Sequence, residues 1–206
     1  IHNVAIGYQT GLSVTTGIYN TLIGGLAGDA LTDADSNVAV GRASLSQDTL
    51  GSCSVAIGRN ALTVQNFTTA TDTFNVAVGD RAGSAVTTGT GNTLVGGLSG
   101  DALTTGHSNV AIGRNALSTE DTGRKNTAVG FAALELQNSD VDNLNTAVGF
   151  YAGGEVTTAI AGTFIGNQAG QNVTTGNTNT FIGASAGISN ASNKLTGANN
   201  TAVGQG

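Results

Sequence analysis

Asn20-Thr-Leu-Ile-Gly-Gly-Leu-Ala-Gly-Asp-Ala-Leu-Thr32 returns, 72 positions further on, as Asn92-Thr-Leu-Val-Gly-Gly-Leu-Ser-Gly-Asp-Ala-Leu-Thr104. Self-similarity of this kind marks a repeat architecture. Inside each copy a shorter unit recurs, a five-residue word ending in Gly, of which Asn3-Val-Ala-Ile-Gly7 is the first. The twelve words end at Gly7, Gly24, Gly41, Gly58, Gly79, Gly96, Gly113, Gly130, Gly149, Gly166, Gly183 and Gly204. The spacing is 17 residues, stretched to 21, 19 and 21 at three points. A four-word block, residues 1–72, is thus duplicated over 73–144 and followed by a less faithful third block over 145–206, all in one repeat array. The three longer connections, near Asn66 to Thr73, Gln137 to Leu144 and Asn190 to Ala198, read as loops bulging from a regular stack.

Each column of the repeat carries its own physics. The residue before the Gly is always Ile or Val: Ile6, Ile23, Val40, Ile57, Val78, Val95, Ile112, Val129, Val148, Ile165, Ile182 and Val203. Two positions earlier stands Val or Thr, on the same face of a strand because strand side chains alternate. The residue between them points the other way and is also apolar, as Ala5, Leu22, Leu94, Phe164 and Phe181 show. A strand apolar on both faces is buried on both. The invariant Ile/Val column is therefore expected to be the structural core, with Ala5, Leu22, Leu94, Phe164 and Phe181 as candidates for a chain–chain interface. The leading Asn, present in ten of twelve words, is expected to stack as an amide ladder, and the Gly to make a corner.

A compensation supports stacked coils. Where the fourth residue after the Gly is Leu (Leu45, Leu62, Leu117, Leu134), the seventh is polar (Asp48, Gln65, Glu120, Gln137). Where the fourth is Gly, the seventh is Val or Leu (Val14, Leu31, Val86, Leu103, Val156, Val173); Gly187 with Asn190 departs from the rule. One interior slot is being filled from two places. Seventeen residues suit a flattened turn of two strands of about five residues and two corners. Stacking at about 4.8 Å makes twelve turns a rod about 55 Å long. The spacing predicts an all-β parallel β-roll or β-solenoid of about twelve 17-residue coils.

Composition narrows the function. Gly supplies 32 of 206 residues, Pro, Met and Trp are absent, aromatic residues make up 4% and charged residues 10%. That leaves neither a large-side-chain core nor an ordinary charged surface. The net charge of −6 gives no electrostatic footprint for nucleic acid or an anionic membrane. Cys53 is the single cysteine, so no internal disulfide forms. No apolar run reaches the length of a membrane span, so no membrane insertion is expected. His2 and His107 stand in no metal-ligand or triad spacing with Cys53, so no enzyme chemistry, metal or cofactor is expected. Asp33-Ala-Asp35-Ser-Asn37 imitates the start of a calcium loop but lacks its Gly and distal Glu, and reads as a solvated turn. The sequons at Asn66, Asn172, Asn190 and Asn199 follow from an Asn- and Thr-rich composition. Arg42, Arg59, Arg81 and Arg114 recur just past the Gly corner and are expected to form an exposed stripe.

The words Asn3-Val-Ala-Ile-Gly7, Ser54-Val-Ala-Ile-Gly58, Asn109-Val-Ala-Ile-Gly113 and Asn126-Thr-Ala-Val-Gly130 resemble the YadA-like head repeats of trimeric autotransporter adhesins. Similar words occur in phage tail fibres. The resemblance covers nearly the whole chain. It implies a left-handed roll, a side-by-side homotrimer, and adhesion at a cell surface or on a virion fibre, with a host surface receptor or matrix component as partner. The period here is longer than that of the usual adhesin head, and Thr-Thr-Gly corners (Thr15 to Gly17, Thr87 to Gly89, Thr174 to Gly176) are added. The expected function is a structural and adhesive extracellular fibre segment; the alternative is a pure spacer or self-assembling filament subunit. Ice binding through Thr127, Thr146, Thr163, Thr180 and Thr201 ranks lower, because that column shares the face expected to be interior.

Overall fold

The computed structural model of the chain describes residues 2–188 and 194–206. Every word becomes a three-residue strand, from Val4–Ile6 and Thr21–Ile23 to Thr180–Ile182 and Thr201–Val203, and the twelve strands form one sheet. Each strand pairs with that of the next word, in parallel and in direct register: Val4 opposite Thr21, Ala5 opposite Leu22, Ile6 opposite Ile23. The same register runs to the last pair, Thr180 opposite Thr201 and Ile182 opposite Val203. The described residues contain no helix, and the chain is an all-β parallel solenoid of about eleven turns of about 17 residues between its twelve word strands. That is the architecture expected from the spacing.

One strand per turn, not two, is regular. Among the described residues, Gly51–Ser52 and Thr71–Asp72 pair outside the main sheet, and single bridges join Arg124 to Asp142 and Val173 to Leu195. The reason lies in the corners. Each turn has left-handed backbone at the second and fourth residues after the Gly and at the residue before the word, as at Leu26 (φ 61°), Leu45 (φ 51°) and Tyr19 (φ 61°). Three such corners leave too little extended chain for a second strand. Backbone hydrogen bonds between turns hold them: the Leu26 N–H donates to the Tyr8 carbonyl (2.9 Å), and the Leu45 N–H to the Ala61 carbonyl (3.0 Å). The word-ending Gly is obligatory for a different reason. At Gly113 φ is +133°, and a Cβ there would stand 2.3 Å from the Gly130 carbonyl oxygen of the next turn.

The faces of the strand are the reverse of the expected assignment. The middle residue of the word points inward: Leu22 is 1% exposed, Leu94 and Phe164 0%, Phe181 4%. These four are interior residues of one chain rather than interface residues, and the equivalent alanines Ala39, Ala56, Ala77, Ala111, Ala128 and Ala147 are equally buried. Ala5, in the first turn, is exposed. The Ile/Val column points outward. Ile57 is 37% exposed, and Ile112, Val148, Ile165 and Ile182 38%. Ile6 and Val203, in the two end turns, are more exposed still. Ile23, Val40, Val78, Val95 and Val129 are half-buried. An outer sheet surface selects β-branched side chains by their fit to the pleat and to same-face neighbours, which suits Ile and Val in that column without burial in the chain's own interior.

The interior is filled reciprocally, as the compensation implied, with the word's middle residue as a third participant. Leu45, Leu62, Leu117 and Leu134 are fully buried, and so are Leu31, Val86, Leu103, Val156 and Val173. Large middle residues occur only where the fourth position is Gly. A Cβ on Gly100 would lie 2.7 Å from a Leu94 methyl, and one on Gly170 would lie 2.3 Å from the Phe164 ring. Asn190, which departs from the rule, lies outside the described residues, as does part of the third long connection.

Candidate functional site

The outward face of the twelve-stranded sheet is a regular surface that runs the whole width of the sheet. Its first column is Val4, Thr21, Val38, Val55, Val76, Thr93, Val110, Thr127, Thr146, Thr163, Thr180 and Thr201; its second is the Ile/Val column. No charged residue stands in either. The face has two zones. The first seven turns carry Val in the first column except at Thr21 and Thr93, whereas the last five carry Thr without a break, beside Val129, Val148, Ile165, Ile182 and Val203. No cavity indents the described surface.

The threonines of this face differ from those at the corners. Corner hydroxyls are used within the chain: Thr87 Oγ1 donates to the Thr104 carbonyl (3.1 Å), Thr104 Oγ1 to the Asp121 carbonyl (3.1 Å) and Thr157 Oγ1 to the Thr174 carbonyl (3.2 Å). Among the described residues, the hydroxyls of Thr127, Thr146, Thr163, Thr180 and Thr201 make no such bond, and none is a buried, unpartnered atom. Thr201 is exposed and the other four are half-buried.

A second stripe follows the Gly corner. Arg42, Arg59, Arg81 and Arg114 are all exposed, as expected, but two are neutralised. Arg59 forms a two-pronged pair with Asp80 (2.8 and 2.9 Å), and Arg81 lies 3.6 Å from the same carboxylate. The hydrogen bond from Arg59 holds the Asp80 carboxyl below the usual carboxylate range. Arg114 lies over the Phe131 ring at 6.0 Å, and Phe131 stacks on Phe150 at 5.4 Å with Tyr151 edge-on to Phe150. Phe131 and Phe150 stack along the rod, Tyr151 meets both edge-on, and Phe150 remains exposed.

Two buried polar clusters lie one block apart. Gln65 and Gln137 each donate to a buried carboxylate one turn back, Asp48 (2.6 Å) and Glu120 (3.0 Å). Those carboxylates also accept from the backbone of the long connections, at the Phe67 N–H (3.0 Å) and the Ser139 N–H (3.2 Å). They pin the loops that the extra residues create. The expected Asn ladder is present and buried: the Asn37 N–H donates to Asn20 Oδ1 (3.0 Å) and Asn109 repeats the contact on Asn92 (3.0 Å).

The residues with catalytic potential are dispersed. His2 stacks on Tyr19 at 5.2 Å, and His107 bonds only its neighbour Ser108 (3.2 Å). Cys53 faces Asp72 at 3.7 Å, and burial, then the Asp72 and Asp35 charges, push its thiol up from the ordinary value. Asp35 accepts from the Ile18 N–H (2.7 Å) and Asp33 from the Thr16 hydroxyl (2.5 Å), so both serve cross-turn bonds. No group of three His, Cys, Asp or Glu side chains able to hold a metal occurs among the described residues. No helix among them is long and apolar enough to cross a membrane.

Comparison of the chain with protein-family models, with curated proteins and with solved structures finds no match.

Proposed function

We propose that this chain is a non-enzymatic, structural and adhesive segment of an extracellular or virion fibre that attaches to a host cell surface or matrix. The observation that carries the reading is the outward sheet face. Twelve strands present two uncharged β-branched columns on one face, and an uncharged surface of that length with an unbroken Ile/Val column marks an interaction site. The Val-rich first seven turns suit packing against a second and third copy of the same chain, side by side. The reading includes a left-handed roll and a homotrimer, in line with the resemblance of the words to adhesin head repeats. Stability spread over turns, each strand packed against the strands next to it, suits a shaft that must transmit force along its length. Affinity in such a fibre comes from many copies of a weak surface.

The test is the mass of the purified chain in solution together with its binding to host cells or matrix proteins. A trimer that binds, with a monomeric Val55→Lys variant that binds much less, is the expected outcome. A monomer that binds equally well removes the proposal. The spacer alternative predicts end-to-end filaments in electron micrographs and no binding to either surface.

A further inference from the structure

We infer that the Thr zone of the outward face, Thr127, Thr146, Thr163, Thr180 and Thr201 with Val129, Val148, Ile165, Ile182 and Val203, binds ice. The inference goes beyond the fibre reading and does not rest on it. The objection that this column is interior falls, because the structure turns it outward.

Four observations carry it. First, the array is regular: five successive strands pair in parallel and direct register, Thr127 to Thr146, Thr146 to Thr163, Thr163 to Thr180 and Thr180 to Thr201. Neighbouring hydroxyls along the rod are therefore about 4.8 Å apart, the spacing of adjacent strands. Waters joined by hydrogen bonds of about 2.75 Å at tetrahedral angles place their second neighbours about 4.5 Å apart. The two repeats differ by about 0.3 Å per step, so a ladder of five threonines drifts from the water repeat by about 1.2 Å between its ends.

Second, the hydroxyls have no partner among the described residues, while corner threonines do. In a dry contact with another protein each would need a new partner, and a stranded hydroxyl costs about 1–3 kcal/mol. A water lattice satisfies every one of them and leaves the γ-methyls and the Ile/Val column to order the waters between. Third, Thr, Val and Ile are stiff at χ1, so the array is set before binding and little side-chain entropy is lost on contact. Fourth, the strip holds no charge, no aromatic face and no cleft. A soluble ligand or a sugar ring would need convergent groups of those kinds, and an extended flat lattice needs none.

The experiment is partition of the purified chain into slowly growing ice, with thermal hysteresis and inhibition of recrystallisation as parallel readouts. The wild-type chain is expected to enrich in the ice and to shape crystals. Thr163→Lys places a long charged side chain at the centre of the strip and is expected to lower the enrichment about tenfold, the loss of a single good contact's worth of affinity. Thr175→Lys, an exposed corner position off this face, is expected to leave it unchanged. Thr146→Lys serves as a second variant, and circular dichroism confirms that each is folded. Absence of enrichment by the wild type overturns the inference, as does enrichment that folded Thr163→Lys and Thr146→Lys chains retain in full. So does retention on an insoluble polysaccharide without partition into ice.

Discussion

The side-chain amide of Gln65 donates to Asp48 Oδ2 at 2.6 Å from one turn above, with both side chains fully buried. The same amide reaches Ser54 Oγ (2.9 Å), and its oxygen accepts from Asn75 Nδ2 (2.9 Å). Ser54 is one of two words without the leading Asn, so Gln65 fills the gap in the amide ladder from the opposite side of the coil. Gln137 makes the matching contacts to Glu120 and Asn145 (2.7 Å) one block later, where Asn126 keeps the ladder unbroken.

Removing this amide is expected to be expensive although no charge is lost. Gln65→Leu leaves Asp48 Oδ2 and Ser54 Oγ without their shared donor, and an orphaned buried polar group costs about 1–3 kcal/mol. Urea denaturation of the variant measures the loss. A change below about 0.5 kcal/mol, the scale of a neutral surface substitution, rules out a structural role for the cluster.

The inverted strand faces are open to direct test with two adjacent residues. Leu94→Ala removes a fully buried side chain and is expected to cost about 2–5 kcal/mol. Val95→Ala, outward and half-buried, is expected to cost less than about 1 kcal/mol in the monomeric chain, since its methyls leave little water-excluded surface. Comparable losses at both positions contradict the assignment.

Gly162 replaces the leading Asn where the next inward residue but one is Phe164. A Cβ on Gly162 would lie 2.6 Å from that ring. Gly162→Asn is therefore expected to destabilise by about 1–3 kcal/mol through overpacking, although it completes the ladder. Combining it with Phe164→Ala, the arrangement of Asn145 with Ala147, is expected to relieve the clash. A double-mutant cycle reads the coupling.

Asp101 provides a pH test. Its Oδ1 is buried without a partner, and burial raises its carboxyl above the ordinary value, partly offset by a backbone hydrogen bond and the Arg81 charge. The folded chain holds this proton more tightly than the unfolded one, so stability falls as pH rises from the unfolded value through the folded one. Asp101→Asn is expected to raise the midpoint of thermal unfolding at neutral pH and to lose that advantage below the carboxylate range. Asp29, the equivalent residue one block earlier, shares the buried Oδ1 and the upward shift, so Asp29→Asn should repeat the pattern.

The stack, its period and the amide ladder were legible because each rests on identity at fixed spacing, as with Asn20, Asn37 and their successors. The direction of the strand was not. Thr21 and Ile23 on one side, and Leu22 on the other, are all apolar enough to be buried, and hydrophobicity alone cannot order them. The signal that orders them is size. Leu22, Leu94 and Phe164 grow only where Gly28, Gly100 and Gly170 make room, whereas the Ile/Val column answers to nothing. Side chains that trade volume share an enclosed space; those that never vary in step with a neighbour need not. Asp48, Gln65, Glu120 and Gln137 stand out in the sequence only as the polar members of the compensation, and their pairing inside the rod follows from the inter-turn bonds.

Nearly every bond between turns reaches one turn and no further; the Lys194–Glu155 ion pair, 39 residues apart, is an exception. Length is consequently a free parameter of this molecule. Excising or inserting one complete 72-residue block would leave each surviving neighbour facing the kind of neighbour it already has. Such a chain can be lengthened by copying, as its own first two blocks record, and its reach can be tuned without redesigning a single contact.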